Sequence, residues 1–303
     1  MFRFICLFIL GLVTVSSNQV VVSSPTCNIL SLSGGGSFGA VEVGILDTLV
    51  HTHRIPPMFD VITGISVGGL NAAVLSYYNN IPTALPLMIN MYSTIRTADV
   101  YYLDITNIWN SWSIFNNAPL EKTMRKIFNT IPTPKYPPQV LIGASNIYTQ
   151  TLDIFMFNQL SFEDKMHVLM STSAIPIVFP PRKSNGTLYI DGGIISNELI
   201  TQAIGFVDCK YYNITFISAR SQHNVSNING FMSYMMSVID MVLHTFDSQI
   251  AQVTHCTYPK GEINACYPTD DTLNTYSVLD FDHGVELYQS GKNMHKCVKY
   301  LLC

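Results

Sequence analysis

Charge is what this 303-residue chain has least of: only 12% of its residues are Asp, Glu, Lys or Arg, with a net charge of −4. That fraction is about half the ~25% usual in soluble domains. Disorder goes with high charge and few apolar residues, so a chain that is 48% hydrophobic, with 16 Phe and 16 Tyr, falls outside that class. No basic cluster interrupts the sequence, which excludes an electrostatic footprint for nucleic acid. Internal repeats and low-complexity tracts are missing too, so a solenoid or a tethered array is excluded. Beyond the first residues no apolar run is long enough to span a bilayer. Nothing reads as an interdomain linker. One compact domain over residues 27–303 is therefore expected, although ~150 residues per domain would allow two.

The N-terminus is different. Arg3 precedes an apolar run at residues 4–15, and Ser16, Ser17 and Asn18 follow. A positive start, an apolar core of this length and a small-residue end form the pattern of a secretory signal peptide, expected over residues 1–17. Its removal would take Cys6 and leave Cys27, Cys209, Cys256, Cys266, Cys297 and Cys303. An even set suits disulfide pairing in an oxidising compartment, hence a secreted protein, and sequence does not choose the pairing. The alternative is an uncleaved anchor with buried free thiols. Sequons stand at Asn185, Asn213 and Asn224, about as many as chance provides here, so they permit glycosylation without arguing for it.

Local pattern organises the chain. Residues 28–33 form a short apolar strand, 34–39 a glycine turn, and 40–50 a helix with Val43, Leu46, Leu49 and Val50 at helical spacing. Residues 59–63 are a second strand, 64–68 a second glycine turn, and 69–78 a second helix. Strand, helix, strand over about thirty residues is a βαβ unit with parallel strands and a right-handed crossover. Both glycine turns then lie at the C-terminal edge of the sheet, where α/β proteins build their sites. Residues 80–118 read as an irregular insertion or lid. A helix is expected at 119–128, a proline-rich connector at 132–138, strands at 140–144 and 152–157, and a helix at 169–174. Asn185-Gly186 marks a hairpin leading to a strand at 187–190 and the turn Asp191-Gly192-Gly193. A strand at 212–218, an apolar helix at 231–246 and a cysteine-rich part at 250–303 complete the pattern.

Chemistry concentrates at the glycine turns. Ser66 sits in Gly64-Ile65-Ser66-Val67-Gly68, between a strand and a helix. Flanking glycines let the backbone turn sharply and present the hydroxyl at the top of the sheet, beside a helix N-terminus that favours developing negative charge. Gly34, Gly35 and Gly36 offer unhindered N–H groups, the donors that the oxyanion of an acyl-transfer intermediate requires. The same turn also matches a dinucleotide fingerprint, Gly34-x-Gly36-x-x-Gly39, with Asp60 about 20 residues on. Asp60, however, precedes the second strand instead of ending it. A serine nucleophile needs a base. His223, His244, His255, His283 and His295 follow Asp191, and none has a distinctive context. Asp191 has one: it ends a strand at a tight turn facing the same sheet edge, and in a dry pocket its raised pKa would let it take the serine proton directly.

Taken together these blocks resemble the patatin-like phospholipase family. Ser33-Gly34-Gly35-Gly36-Ser37-Phe38-Gly39-Ala40 is similar to its glycine-rich block, and Gly64-Ile65-Ser66-Val67-Gly68-Gly69 to its nucleophile elbow. Ser171-Thr172-Ser173-Ala174-Ile175-Pro176 resembles the segment before its acid, Asp191-Gly192-Gly193 with Asn197 its Asp-Gly-Gly motif, and Leu279-Asp280-Phe281-Asp282 through Gly291 its terminal helix. The resemblance implies a three-layer α/β/α fold with a mainly parallel sheet. It implies a Ser66–Asp191 dyad, an oxyanion hole from the amides of residues 34–36, a lipid ester substrate at a membrane or micelle surface, and no cofactor or metal. Departures exist. Asp is common in the family where this chain has Ser33, a basic residue where it has Phe38, Thr where it has Ile65, and Pro where it has Glu198. The alternatives kept open are a non-catalytic storage or lipid-binding glycoprotein on the same scaffold and a Ser-His-Asp esterase. Two further features have double readings. The Met-rich helix at 231–246 is either core or an acyl-chain groove. Trp109 and Trp112 either anchor at lipid or pack their loop down.

Overall fold

The computed structural model describes residues 23–132, 137–220, 234, 237–238 and 260–302. Strand β1 (Ser23–Leu32) leads through the first glycine turn into α1 (Gly39–His51), and β2 (Val61–Ile65) through the second into α2 (Val67–Leu75). Helix α3 (Ile81–Thr94) follows. A small hairpin of β3 (Tyr102–Leu103) and β4 (Phe115–Asn116) carries the one-turn helix α4 (Ile108–Ser111) in its loop, and α5 (Ala118–Phe128) comes next. The chain continues as β5 (Gln139–Asn146), β6 (Thr151–Met156), α6 (Phe162–Thr172), β7 (Arg182–Ser184), β8 (Thr187–Asp191) and α7 (Ile200–Phe206). It ends in β9 (Asp208–Ile217), β10 (Gly261–Pro268), α8 (Gly284–Asn293) and β11 (His295–Leu302).

Among the described residues nine strands form one sheet, in the order β11-β10-β9-β1-β2-β5-β8-β7 with β6 also paired to β5. Strands β10, β9, β1, β2 and β5 run parallel, and the strands beyond them antiparallel. Alternate residues feed opposite faces, as the two-residue strand period dictates. Leu30, Leu32, Ile62 and Ile142 meet α1, α2, α3, α6 and α8 in the larger core. Cys27, Ile29, Val61 and Leu141 meet Ile200, Ala203 and Ile204 of α7 on the other side. This is the α/β/α layering expected, and it puts both glycine turns at one edge: Leu32, the last residue of β1, pairs with Gly64 near the end of β2.

Several expectations need correction. Residues 81–94, read as irregular, are a helix capped by Asn80, whose side chain accepts the Thr83 N–H; it packs on α1 and α8. Pro82 sits in its first turn, where a missing N–H costs nothing, while Pro86 lies inside it. Helix α6 starts at Phe162, seven residues before the expected 169, because Ser161 accepts the Asp164 N–H as an N-cap. Two cysteine pairs lie at disulfide distance, Cys27 with Cys209 and Cys266 with Cys297, with Cα atoms 6.0 and 4.0 Å apart. The second pair bridges directly opposed residues of β10 and β11. Cys256, Cys303, residues 1–17 (expected as a signal peptide), Asn224 and nearly all of the segment 231–246 expected as an apolar helix lie outside the described residues. Asn185 occupies an exposed turn at φ 49°. Asn213 is inside strand β9, donating its amide to Asn28 Oδ1 at 2.8 Å, and its sequon partner Thr215 is buried. No helix of the described residues is long and apolar enough to cross a membrane.

Candidate active site

The site is built where β2 stops. Its last residue, Ile65, pairs with Gly143 of β5. One step further along β5, Ala144 pairs with Asp191, the last residue of β8. Strand β8 runs antiparallel to β5, so it takes over the edge that β2 vacates and arrives there end-on. Ser66, which follows Ile65, and Asp191 are thereby brought together from 125 positions apart.

Ser66 has φ 53° and ψ −125°, a conformation that costs a non-glycine residue about 1–3 kcal/mol. The fold imposes it. A Cβ on Gly64 would lie 2.2 Å from the Gly68 carbonyl oxygen, and one on Gly68 2.4 Å from that of Ser33, so strand and helix cross too closely for any side chain. The Ser66 N–H donates to Thr172 Oγ1 at 2.8 Å, and that hydroxyl donates onward to the Gly143 carbonyl at 2.6 Å. A single threonine thus pins the elbow to the neighbouring strand, in a place where a lone hydroxyl satisfies two buried backbone groups.

Asp191 is buried, with its carboxyl next to the Ser66 side chain. Its Oδ1 accepts the Gly193 N–H at 2.8 Å, and its own N–H donates to the Ala174 carbonyl at 2.9 Å. Burial raises the carboxyl pKa to about 7, against the lowering effect of Ser66 and the Gly193 N–H. A serine on a strained strand-to-helix turn beside a carboxyl that ionises near neutrality is an arrangement able to supply a nucleophile and a base. Among the described residues no histidine hydrogen-bonds to either group. His283 is held by Asp280 at 2.8 Å, with its pKa raised by that contact, and His295 bonds to the Gly291 carbonyl. His223, His244 and His255 lie outside the described residues.

The glycine loop lies against the serine: a Cβ on Gly34 would come within 3.0 Å of Ser66 Cβ. The three expected donors are not equivalent. The Gly34 N–H is taken by Asn197 Oδ1 at 2.9 Å, and Asn197 Nδ2 returns a bond to the Gly34 carbonyl at 3.4 Å. Gly36 adopts φ 58°, and a side chain there would strike the Val278 carbonyl at 2.2 Å. The amides of Gly35 and Gly36 have no hydrogen-bond acceptor among the described residues. Asn197 and Thr172 are the functional positions whose roles sequence reasoning missed. Both stood inside recognised blocks, but nothing local marks a buried amide or hydroxyl that bonds across more than a hundred residues.

The dinucleotide alternative fails on geometry. Asp60 Oδ2 accepts the Asn28 N–H at the opposite, N-terminal edge of the sheet, away from the glycine loop. Three departures acquire partners. Ser33 Oγ accepts the Ala219 N–H at 2.9 Å. The Arg220 guanidinium lies 5.5 Å from the centre of the Phe38 ring, returning positive charge to the neighbourhood of the glycine loop. The Glu198 carboxylate accepts the Ile200 N–H at the start of α7. Among the described residues no group of three or more His, Cys, Asp or Glu side chains is placed to hold a metal ion.

Fold and site together define an α/β protein with a serine–carboxylate pair at a strand–helix turn. The chain belongs to the patatin-like phospholipase family, whose model matches residues 30–204. It is 25% identical over 252 residues to Uncharacterized protein R571 of Acanthamoeba polyphaga mimivirus, covering 78% of this chain and 83% of that one. A probable lipid hydrolase of Invertebrate iridescent virus 6 is 27% identical (61% and 64% covered), and patatin-15 of Solanum tuberosum 29% identical (63% and 55% covered). The chain thus spans less than two thirds of the length of these last two. VipD from Legionella pneumophila superposes with a TM-score of 0.40 at 13% identity, over 91% of this chain and 68% of that one, a likeness too distant to argue from.

Proposed function

We propose that this protein is a secreted acyl hydrolase of phospholipids or related glycerolipids, with Ser66 as nucleophile and Asp191 as base. The buried Asp191 carboxyl beside Ser66, with its pKa raised to about 7, is the observation that carries this reading. A carboxylate of ordinary pKa is a poor base for a serine hydroxyl; one destabilised by burial gains free energy on taking the proton. Ser66 Oγ attacks the ester carbonyl as its proton passes to Asp191. The amides of Gly35 and Gly36 receive the oxyanion, and Gly34, tied to Asn197, holds the loop in register. Collapse breaks the ester bond, and the Asp191 proton leaves with the alcohol, a lysolipid. Water then attacks the acyl-enzyme, gives a proton to Asp191 and releases the fatty acid, and Asp191 returns that proton to Ser66. The two cysteine pairs and the apolar N-terminus support passage through an oxidising secretory compartment.

The direct test is fatty-acid release from phospholipid vesicles by wild type, Ser66→Ala and Asp191→Asn. Release by wild type alone is expected. Equal release by all three would refute the assignment, and no release by a folded wild type on any glycerolipid would favour a binding or storage role. Loss of activity on substituting one of the three histidines at 223, 244 or 255, with folding intact, would replace the dyad by a triad.

A further inference from the structure

The loop joining β3 to β4 is well anchored on one side. Tyr101 packs on Phe115, Phe179 and Phe281, and its hydroxyl donates to the Leu279 carbonyl at 2.9 Å. Ser113 is buried, and the Ile114 and Phe115 N–H groups donate to the carbonyls of Ile177 and Val178. Its other side is apolar and bare: Leu103 is 58% exposed, Ile105 64%, Trp109 89%, Trp112 63% and Ile177 49%. The tryptophans therefore do not pack the loop down. Residues 100–120 carry a single charged side chain, Asp104, and residues 174–181 none.

Two of these residues are also conformationally costly. Trp112 has φ 56° and Ile177 φ 71°, a region that glycine or asparagine occupies readily and a β-branched or bulky residue does not. Among the described residues neither recovers that cost by burial. Both contribute large apolar area to one surface, so the return must come from what covers it. The segment that carries Ile177 also braces the site: Ile177 lies three residues beyond Ala174, whose carbonyl takes the Asp191 N–H, and five beyond Thr172, which holds Ser66.

We propose that this surface docks on a lipid bilayer and seats the mouth of the Ser66 site at the headgroup level. The inference rests on the lipid-hydrolase reading for its partner. Near-absence of charge suits insertion below the headgroups, and tryptophan, with an apolar body and one N–H, suits the interface itself. A protein partner would need hydrogen-bonding or charged groups at the rim, and the one carboxylate here, Asp104, is bonded by Thr106 and Asn116 of the same loop.

Trp109 and Trp112 are the only tryptophans in the chain, so tryptophan emission, excited selectively over that of the 16 tyrosines, reports on this loop alone. With full-length Ser66→Ala and phosphatidylcholine vesicles, the emission should shift to the blue and be quenched by brominated acyl chains. Emission that stays put while the protein co-sediments with vesicles would overturn the proposal, as would no binding at all. A shift that grows with protein concentration without vesicles would assign the surface to a second copy instead. In the active protein, Trp109→Ala with Trp112→Gly should lower vesicle affinity about a hundredfold, about tenfold per side chain. The ratio of vesicle hydrolysis to hydrolysis of a soluble monomeric ester should fall with it. An unaltered ratio would overturn the docking role. Loss of monomeric-ester activity in the wild type would instead sink the catalytic reading, and the fluorescence result would still stand by itself. Ile177→Asn separates docking from folding: asparagine accepts the left-handed backbone, so the melting temperature should hold or rise while vesicle affinity falls. A lowered melting temperature with unchanged affinity would refute the argument from backbone cost.

Discussion

Replacing Asp191 with Asn should abolish hydrolysis and, above neutral pH, make the protein more stable. Burial holds the native carboxyl near 7, whereas an exposed aspartate ionises near 3.8. In the unfolded chain the group loses its proton near pH 4; in the native protein it keeps it to about 7. Between these values the native state binds the extra proton, so stability falls as pH rises. At ~1.4 kcal/mol per pH unit the whole interval amounts to about 4 kcal/mol. The cost is absent below pH 4, where both states are protonated, and complete above 7, where both are ionised. Asp191 is buried, so solvent screening gives little reason to discount the figure.

Asparagine keeps the shape and much of the hydrogen bonding but does not titrate. Every other ionisable group is common to the two proteins and cancels in the comparison. The advantage of Asp191→Asn over wild type should therefore grow by about 3 kcal/mol between about pH 5 and about pH 8. For a domain of this size that is about 6 °C in melting temperature, at ~2 °C per kcal/mol. Paired thermal melts across that range check it. A difference that stays constant with pH would show that Asp191 is not held protonated by burial, and the proton-transfer role would lose its physical basis.

Other consequences follow from the same geometry. Activity on a monomeric ester should rise with pH through about 7 as Asp191 ionises, and a flat profile from about pH 5 to pH 9 would contradict its role as base. Thr172→Val leaves the Ser66 N–H and the Gly143 carbonyl unpaired and should lower kcat by about 10–100-fold, with stability down by about 1–3 kcal/mol. Thr172→Ser should restore most of both, as steady-state kinetics and urea melts would show. Gly36→Ala faces the Val278 carbonyl at 2.2 Å and should cost about 100-fold or more in rate. Gly205→Ala, in α7 with nothing near its added methyl, should instead raise stability by about 0.5–1 kcal/mol. Removing the Cys27–Cys209 pair, 182 residues apart, should destabilise by up to about 5 kcal/mol, more than the ~4 expected for Cys266–Cys297 at a separation of 31.

What could be read from the sequence was whatever is written locally. The βαβ opening shows itself because apolar runs, glycine turns and helical spacing follow each other within about fifty residues, each consistent with the next. Helix α3 does not, because Pro82 and Pro86 read as breakers, although Pro82 only removes an N–H that the first turn leaves unbonded. The start of α6 is legible in principle from the N-cap spacing of Ser161 and Asp164, but the apolar signal begins later and masks it. Asp191 was visible as a strand-end turn residue. Its meeting with Ser66 was not, since that depends on β8 replacing β2 beside β5, a matter of strand order with no local signature.

The departures from the family pattern make the same point more sharply. Ser33, Phe38 and Glu198 each stand out against the family pattern, and each alone reads as a loss: of an acid, of a positive charge, of a proline. In the fold each is answered from elsewhere. Ser33 keeps the loop bonded by accepting the Ala219 N–H, and the Arg220 next along lays its guanidinium on Phe38. Glu198 satisfies the Ile200 N–H at a helix start that proline would have opened differently. Residues 219 and 220 lie just beyond Ile217, the last residue of β9, the strand paired with β1, so one short segment supports the loop at two points. On this account Arg220→Gln should weaken hydrolysis of anionic phospholipids more than that of a neutral monomeric ester, and Phe38→Arg in the same background should recover the difference. A loss equal on both substrates, unrecovered by Phe38→Arg, would mean that Arg220 only braces the loop.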